Sequence, residues 1–445
     1  MNASEVRIPH ARVIVAIAAL LASVAILWLT RTFTFYFDEW TLILSAPDWS
    51  WATYLQPLNE HPVMLTRAIY AALFATVGLH SYLPYMAVLL ALHAASVVLL
   101  FEVVRRRAGD LVALGAAALL LVLGAGWENL LWAIGIQFVG SVACGLGMLL
   151  ALEGQPGRRN LLIAAALLTA SFMFSGVFLF FGVAAAVQLA TTSGRRHDLV
   201  WFAPVAVAAG TWFLAFGHNG APTNPPSLGD IAALPLYVVW GLGASAGGLI
   251  GVGGFAGLAV LGLAGLAVAF GWWRVGKVDG FGLGIAAGLV SFYAVIGVIR
   301  VQLGYQQSGA GRYNYVGAVF WLLLLADAAR GLPWRGTWRP ALVACLFLAC
   351  FSSGALLFAY AAAKTVQMER QVADLQALSA VRGDPCLDPN AAVDLLVMPQ
   401  MTSPALYYRA VDRYGDPTSS LPVVDRSDFD QARANLLTAG CKSNQ

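Results

Sequence analysis

Long apolar stretches, each on the order of 20 residues and separated by short polar breaks, run through most of the chain. Such runs predict helices that cross a membrane, because a soluble fold alternates apolar and polar positions at helical or strand period. The first run covers residues 13–29 and follows a segment carrying Arg7 and Arg12. No small-residue cleavage pattern comes after it, so it reads as a retained span with the N-terminus cytoplasmic; the alternative is a signal peptide.

Arginine and lysine place the connections. Arg105-Arg106-Arg107, Arg158-Arg159, Arg195-Arg196, Arg274 with Lys277, and Arg330 with Arg335 and Arg339 mark cytoplasmic loops. The intervening connections then face outward: residues 30–81, 126–129, a turn at Ser175-Gly176, 218–235 and 300–315. Between Asp38 and Arg105 this alternation leaves room for one crossing, and residues 82–104 suit it by length. Residues 65–79 are short and contain Arg67, which predicts an amphipathic helix lying at the outer interface. Residues 236–250 are glycine-rich and predict an interfacial or re-entrant piece ahead of a span at 255–273. The result is an all-α polytopic membrane protein of about eleven transmembrane helices, with its C-terminus outside. A transmembrane unit of residues 1–361 is expected, with a small extracytoplasmic unit of 362–445. The latter should open with a helix over 364–382. Turns follow at Asp384-Pro385, Asp388-Pro389 and Asp416-Pro417, and residues 391–398 read as a buried strand.

Composition strengthens this reading. The chain is 59% hydrophobic and 11% charged, against about 25% charged in soluble domains. A formal charge of +3 gives no ground for a nucleic-acid partner. Cys386 and Cys441 are the tail's two cysteines and could form a disulfide if the tail is outside, or remain two thiols. Cys144, Cys345 and Cys350 fall in apolar spans as small fillers.

Against this apolar background the polar residues of the outer connections stand out. Asp38-Glu39 lies within the aromatic run Phe33-Thr34-Phe35-Tyr36-Phe37-Asp38-Glu39-Trp40, and Asn59-Glu60-His61-Pro62 follows in the same loop. Acidic groups beside a bilayer are costly and usually functional. On a helix Asp38 and Glu39 point about 100° apart, so one can face a cavity while the other anchors the loop. Asp38 reads either as a general base or metal-side carboxylate, or as the N-cap of a helix starting near Glu39. His61 precedes a proline, so its backbone is extended, and it could orient a phosphate or share a proton with a carboxylate; otherwise it is a surface histidine. Glu128, Asn129 and Gln137 could bind sugar hydroxyls, with Trp127 or Trp132 stacking on a sugar face, or they belong to an interfacial aromatic belt. Arg312, beside Tyr313 and Tyr315, suits a phosphate at headgroup depth because its planar fork grips phosphate at two points; Arg300 is a second candidate. The competing reading of Arg312 is an arginine that snorkels to the interface. His93 reads as a buried structural histidine, and Asp327 as a local partner of Arg330. The chain has no phosphate-binding P-loop, GxSxG elbow, HExxH or CxxC pair. The inner loops are too short for a nucleotide-sugar domain.

The acidic pair in Phe37-Asp38-Glu39-Trp40, the later Glu60-His61-Pro62 leading to Leu65-Thr66-Arg67, and Leu83-Pro84-Tyr85 opening the next span resemble GT-C glycosyltransferases. The bacterial mannosyl- and arabinosyltransferase type, related to protein O-mannosyltransferases, is the nearest in character. The resemblance covers about the first 150 residues and, more weakly, Gly311-Arg312-Tyr313. It implies Asp38 as catalytic base, with Glu39 grouped beside it among the catalytic residues without a defined role, a polyprenyl-phosphate sugar as donor and lipid phosphate held near Arg312. A glycan, lipid or protein would be the acceptor, in the bacterial inner membrane. Glu60, His61, Trp127, Glu128, Asn129, Gln137, Arg300, Arg312 and Tyr313 are then the expected substrate-binding residues. A divalent cation is compatible with this scheme but not called for by the sequence. The alternative function is a transporter or flippase of a lipid-linked saccharide. Transporters place polar groups near the midplane on broken helices, whereas here they crowd the outer loops.

Overall fold

The structure is a computed structural model that describes residues 7–154, 156–220, 226–330, 338–394, 398–419, 421–422, 425–438 and 441. It is 78% helical without strands among those residues. The first loop and its flanking helices are α1 (Ala11–Leu29), α2 (Asp38–Ser45), α3 (Trp51–Leu55), α4 (Met64–Thr76) and α5 (Leu83–Ala108). The middle of the bundle comprises α6 (Asp110–Leu121), α7 (Ile136–Ala151), α8 (Arg158–Phe174), α9 (Phe178–Thr191) and α10 (Ala203–Ala215). Then come α11 (Leu228–Ala232), α12 (Leu234–Gly248), α13 (Gly254–Val275), α14 (Gly280–Arg300) and α15 (Gly311–Ala329). The chain closes with α16 (Trp338–Ala380), α17 (Pro404–Tyr414) and α18 (Arg426–Leu436).

Seven helical stretches among the described residues are long and apolar enough to cross a membrane. They are Ala11–Leu29, Leu83–Ala108, Ala133–Ala151, Arg196–Ala215, Gly254–Val275, Gly280–Leu303 and Trp338–Ala380. The chain is therefore an all-α, multi-pass membrane protein. Length and composition do not reach the expected eleven crossings. α6 and α9 are apolar but short, α8 has 17 residues, and Arg312, Asn314 and Asp327 dilute the apolar character of α15. α12, expected as an interfacial or re-entrant piece, packs against α13, α14 and α15.

The arginine-bearing connections meet at one end. Arg107 bridges Asp279 at 2.6 Å and Asp327 at 2.7 Å, and Arg330 pairs with the same two carboxylates. Arg12 holds Glu102 at 2.6 Å, Arg105 holds Asp110 at 2.6 Å, and Arg195 donates to the Leu152 and Gly154 carbonyls. These bonds tie the starts of α1, α6 and α14 to the ends of α5, α7 and α15. Arg335 lies outside the described residues. The opposite end holds the first loop, the segment after α6 and the α14–α15 connection.

α16 has 43 residues, a length of about 65 Å at 1.5 Å per residue. A bilayer core is about 30 Å thick, so roughly half of α16 extends past it. Residue 361, the expected boundary between two units, lies inside this unbroken helix. The extension carries α17 onto the first loop, while α18 packs on α16. Leu79 donates its backbone N–H to the Tyr414 carbonyl at 2.7 Å, Arg409 pairs with Asp48 at 2.8 Å, and Trp40 packs on Tyr407. Residues 391–398 form no strand where they are described; residues 395–397 lie outside the described set. Cys386 and Cys441 are joined by a disulfide across 55 residues.

Thiol counting tests this arrangement. Of five cysteines, three are free. Denatured, unreduced protein should take up maleimide at three positions, and reduced protein at five. Loop-closure entropy for a 55-residue separation predicts that Cys386→Ser lowers stability by about 4 kcal/mol. Five labels without reductant would contradict the pairing.

Candidate active site

Two strained turns aim the first loop at a cavity. Among described non-glycine residues only His10, Phe37 and Asn59 have positive φ, and Phe37 and Asn59 both line the same cavity. Such conformations cost about 1–3 kcal/mol and persist where surrounding structure enforces them. Phe37 (φ 46°) precedes Asp38, the first residue of α2. Asn59 (φ 51°) begins a tight turn closed by paired backbone hydrogen bonds of 3.0 and 3.1 Å between Leu58 and His61. Arg67 braces that turn from α4 by donating to the carbonyls of Thr53, Gln56 and Pro57. Gly220 is required beside it, since a Cβ there would collide with the Asn59 carbonyl.

The cavity encloses about 340 Å³. All the expected site residues except Glu39 and Glu60 line it: Asp38, His61, Trp127, Glu128, Asn129, Gln137, Arg300, Arg312 and Tyr313. They come from segments up to 275 positions apart (Asp38 to Tyr313). Trp132, one of the two tryptophans expected to stack on a sugar, also lines it, as do Tyr36 and Lys364, which the sequence pattern did not assign as ligand-binding groups. A lysine within an otherwise apolar helix is the signal that could have nominated Lys364.

The acidic pair divides as helical geometry requires. Asp38 faces the cavity and makes no hydrogen bond or ion pair among the described residues; its side chain does not cap α2. Burial raises its pKa, and the nearby Arg312 and Arg300 pull it back only in part. Asp38 is thus more basic than an ordinary carboxylate. Glu39, also expected to be catalytic, does not line the cavity. It is fully buried, 0% exposed. One oxygen accepts from Tyr70 Oη at 2.7 Å, the other from the Tyr36 N–H at 2.9 Å and Trp132 Nε1 at 3.2 Å, while Tyr82 Oη reaches both. Tyr82 Oη also accepts from the Ala133 N–H at 2.8 Å. Burial outweighs these donors and pushes the Glu39 carboxyl up to about 7.

The cationic groups differ in how far they are already matched. Arg300 pairs with Glu60 through two nitrogens, with Nε at 3.0 Å. Glu60 therefore stands behind the wall as the partner of Arg300. Burial alone would raise the Glu60 carboxyl, but His61 and Arg300 hold it below the usual range. Arg312 donates to Glu128 at 3.0 Å, and Asn129 donates to the Arg312 carbonyl at 2.9 Å. Lys364 has no carboxylate partner among the described residues. It donates to Gln367 at 2.7 Å and sits 3.6 Å from the centre of the Tyr36 ring.

Two polar atoms at the walls are buried without partners: Gln137 Oε1 and His61 Nδ1. Native interiors rarely leave such atoms unmatched. Burial lowers the His61 pKa more than Glu60 raises it, so the ring is neutral near pH 7. Trp127 has one face covered by Tyr360, stacked at 5.0 Å, and Trp132 packs edge-on against Tyr36 and Phe37. The residues do not fit a protein-held divalent cation. Glu60 and Glu128 are committed to arginines, and no group of three His, Cys, Asp or Glu is gathered among the described residues.

A second cavity, about 610 Å³, adjoins the first and shares His61, Phe138 and Tyr313 with it. It runs between α8, α9, α10 and α14 and is walled by side chains such as Phe172, Phe178, Trp212 and Ile296. The polar chamber and the apolar cleft thus lie side by side, sharing the wall these three residues form.

The Glu39 cage yields a pH signature. An unfolded glutamate loses its proton near 4.5, whereas folded Glu39 holds it to about 7. Its contribution to stability is complete below the unfolded value and is lost as pH rises through about 7, by about 3 kcal/mol in all. Thermal unfolding in detergent should show wild type losing stability relative to Glu39→Gln between pH 5 and 7. Glu39→Ala, which strands several buried donors, should be destabilised by about 2–4 kcal/mol at both. Parallel pH profiles for wild type and Glu39→Gln would contradict the assignment.

Comparison with known protein families, with curated proteins and with solved structures found no match to this chain.

Proposed function

We propose that the protein is a membrane glycosyltransferase that moves a sugar from a polyprenyl-phosphate donor to an acceptor on the outer face of the bacterial inner membrane. The observation that carries this reading is the junction of the two cavities: an unpaired carboxylate and three cations on one side of His61, and an apolar cleft on the other. An amphiphile with a polar head and a long hydrocarbon tail matches that division. The end bearing the C-terminal unit is assigned outward, in keeping with its disulfide. The arginine-rich end, and with it the N-terminus, is assigned to the cytoplasm. About eleven crossings remain part of the proposal.

In this scheme the hydrocarbon lies in the cleft and the phosphodiester meets Arg300, Arg312 and Lys364. Asp38 accepts the proton from the acceptor hydroxyl as its oxygen bonds to the anomeric carbon. The bond from that carbon to the phosphate oxygen breaks, and polyprenyl phosphate departs with its electron pair. Charge is conserved within the chamber: Asp38 loses one negative charge as the phosphate gains one. The two arginines are already held by Glu60 and Glu128, so Lys364, which has no carboxylate contact, is the cation free to turn to the phosphodiester. Catalysis then consists of positioning and stabilisation of the leaving phosphate.

Release of polyprenyl phosphate from short-chain polyprenyl-phosphate sugars by purified protein tests the assignment. Asp38→Asn should fold normally and lose about 10²–10⁴-fold in turnover, the usual contribution of a general base. Lys364→Met should weaken donor use by about 10–100-fold, as expected for a lost charge-assisted bond, and Lys364→Arg should recover part of it. Full activity of Asp38→Asn would end its role as base. Lipid translocation without glycosidic product would identify a flippase instead.

A further inference from the structure

A third cavity has no part in the scheme above. About 740 Å³ in volume, it lies between the segment after α2, the helix α4, and α17 of the C-terminal unit. Its walls combine four aromatic residues, three charged residues and three alanines. Trp49, Tyr54 and Phe74 come from the first loop, with Trp49 at 5.9 Å from Tyr54 and 6.0 Å from Phe74. Arg409, Asp412 and Arg413 project from α17. Trp51, 90% exposed, stands beside Tyr54 with ring centres 6.1 Å apart.

We propose that this cleft binds the saccharide chain of the acceptor. The aromatic rings offer apolar faces with polar edges, and charged planar side chains on the facing wall supply donors and acceptors for hydroxyl groups. A lipid tail is better matched by the predominantly apolar lining of the cleft beside His61 than by a wall carrying three charged residues. The charges are largely balanced: Arg409 pairs with Asp48 at 2.8 Å, and Asp412 with Arg382 at 2.8 Å. Arg413 alone of the three makes no hydrogen bond or ion pair among the described residues, so the set suits a neutral or weakly acidic sugar chain. Position supports the same occupant. α2 starts at Asp38 and ends at Ser45, and Ala46 already lines the cleft. Eight residues of helix place the edge of the cleft about 12 Å from the carboxylate along the helix axis, within the length of a short oligosaccharide. The acceptor class so defined, a glycan of several residues, rests on the transferase reading, but the binding site itself does not.

The test uses the full chain in detergent, carrying Asp38→Asn to stop turnover. Its binding is measured to an array of tri- to hexasaccharides of mannose, galactose, glucose, rhamnose and arabinose. At least one series should bind, and Trp49→Ala or Arg413→Ala should weaken it tenfold or more, with Trp49→Phe largely retaining it. In the active chain the same two variants should raise the oligosaccharide KM and leave donor hydrolysis by water unchanged. Binding to no array member, or equal binding by the Trp49 and Arg413 variants, overturns the inference. If cleft-dependent binding is found while no donor is ever consumed, the saccharide site stands and the transferase reading falls.

Discussion

The Glu39 carboxylate is the point where the first loop, the start of α5 and the segment before α7 are fastened together. A charge with no exposure must be either protonated or surrounded by donors, and Glu39 has Tyr70, Tyr82, Trp132 and the Tyr36 N–H around it. Each donor belongs to a different part of the chain. The bond to Tyr36 fixes the turn through Phe37, and that turn directs Asp38 into the cavity. Trp132 is held by the same oxygen and forms part of the cavity wall. Acid placement at Asp38 is thus a consequence of acid burial one residue later.

A second constraint is the pairing of the cavity's arginines. Arg300 and Arg312 are each held by a glutamate from a distant segment. Their forks are therefore oriented before any ligand arrives, which reduces the ordering a ligand must impose. Lys364 comes from α16, the helix that also carries the C-terminal unit. Gln367 and Gln371, one and two turns further along α16, donate to Tyr36 Oη and the Phe35 carbonyl. The same helix thus supplies the chamber's unmatched cation and braces the backbone leading to Asp38.

Much of this was legible in the chain. Arginine spacing predicted which connections meet at one end, and the Arg107–Asp279–Asp327–Arg330 cluster joins connections expected on one side. The crowding of Asp38, His61, Glu128 and Arg312 into the other connections brought most of the cavity wall to attention. The division of labour between Asp38 and Glu39 was legible only as an angle, because Tyr70 and Trp132 as donors depend on folding. Glu60 was visible as a polar residue but not as the partner of Arg300, which lies 240 positions away. The covered face of Trp127 likewise depends on Tyr360 from α16. Neither cleft beyond the polar chamber could be read from pattern, because each is made of apolar or surface residues whose spacing resembles any helix. The helix expected over 364–382 was legible, but not its continuity with the apolar stretch before it in one 43-residue helix.

The central claim is that a lipid-linked monophosphate sugar is consumed at the Asp38 chamber. Mass spectrometry of lipids and envelope glycans, comparing cells lacking the protein with cells expressing it, addresses this most directly. The account predicts accumulation of one polyprenyl-monophosphate sugar together with loss of that sugar from an envelope glycan, both restored by the wild-type chain but not by Asp38→Asn. Unchanged monophosphate lipids with a build-up of a polyprenyl-diphosphate oligosaccharide would contradict it.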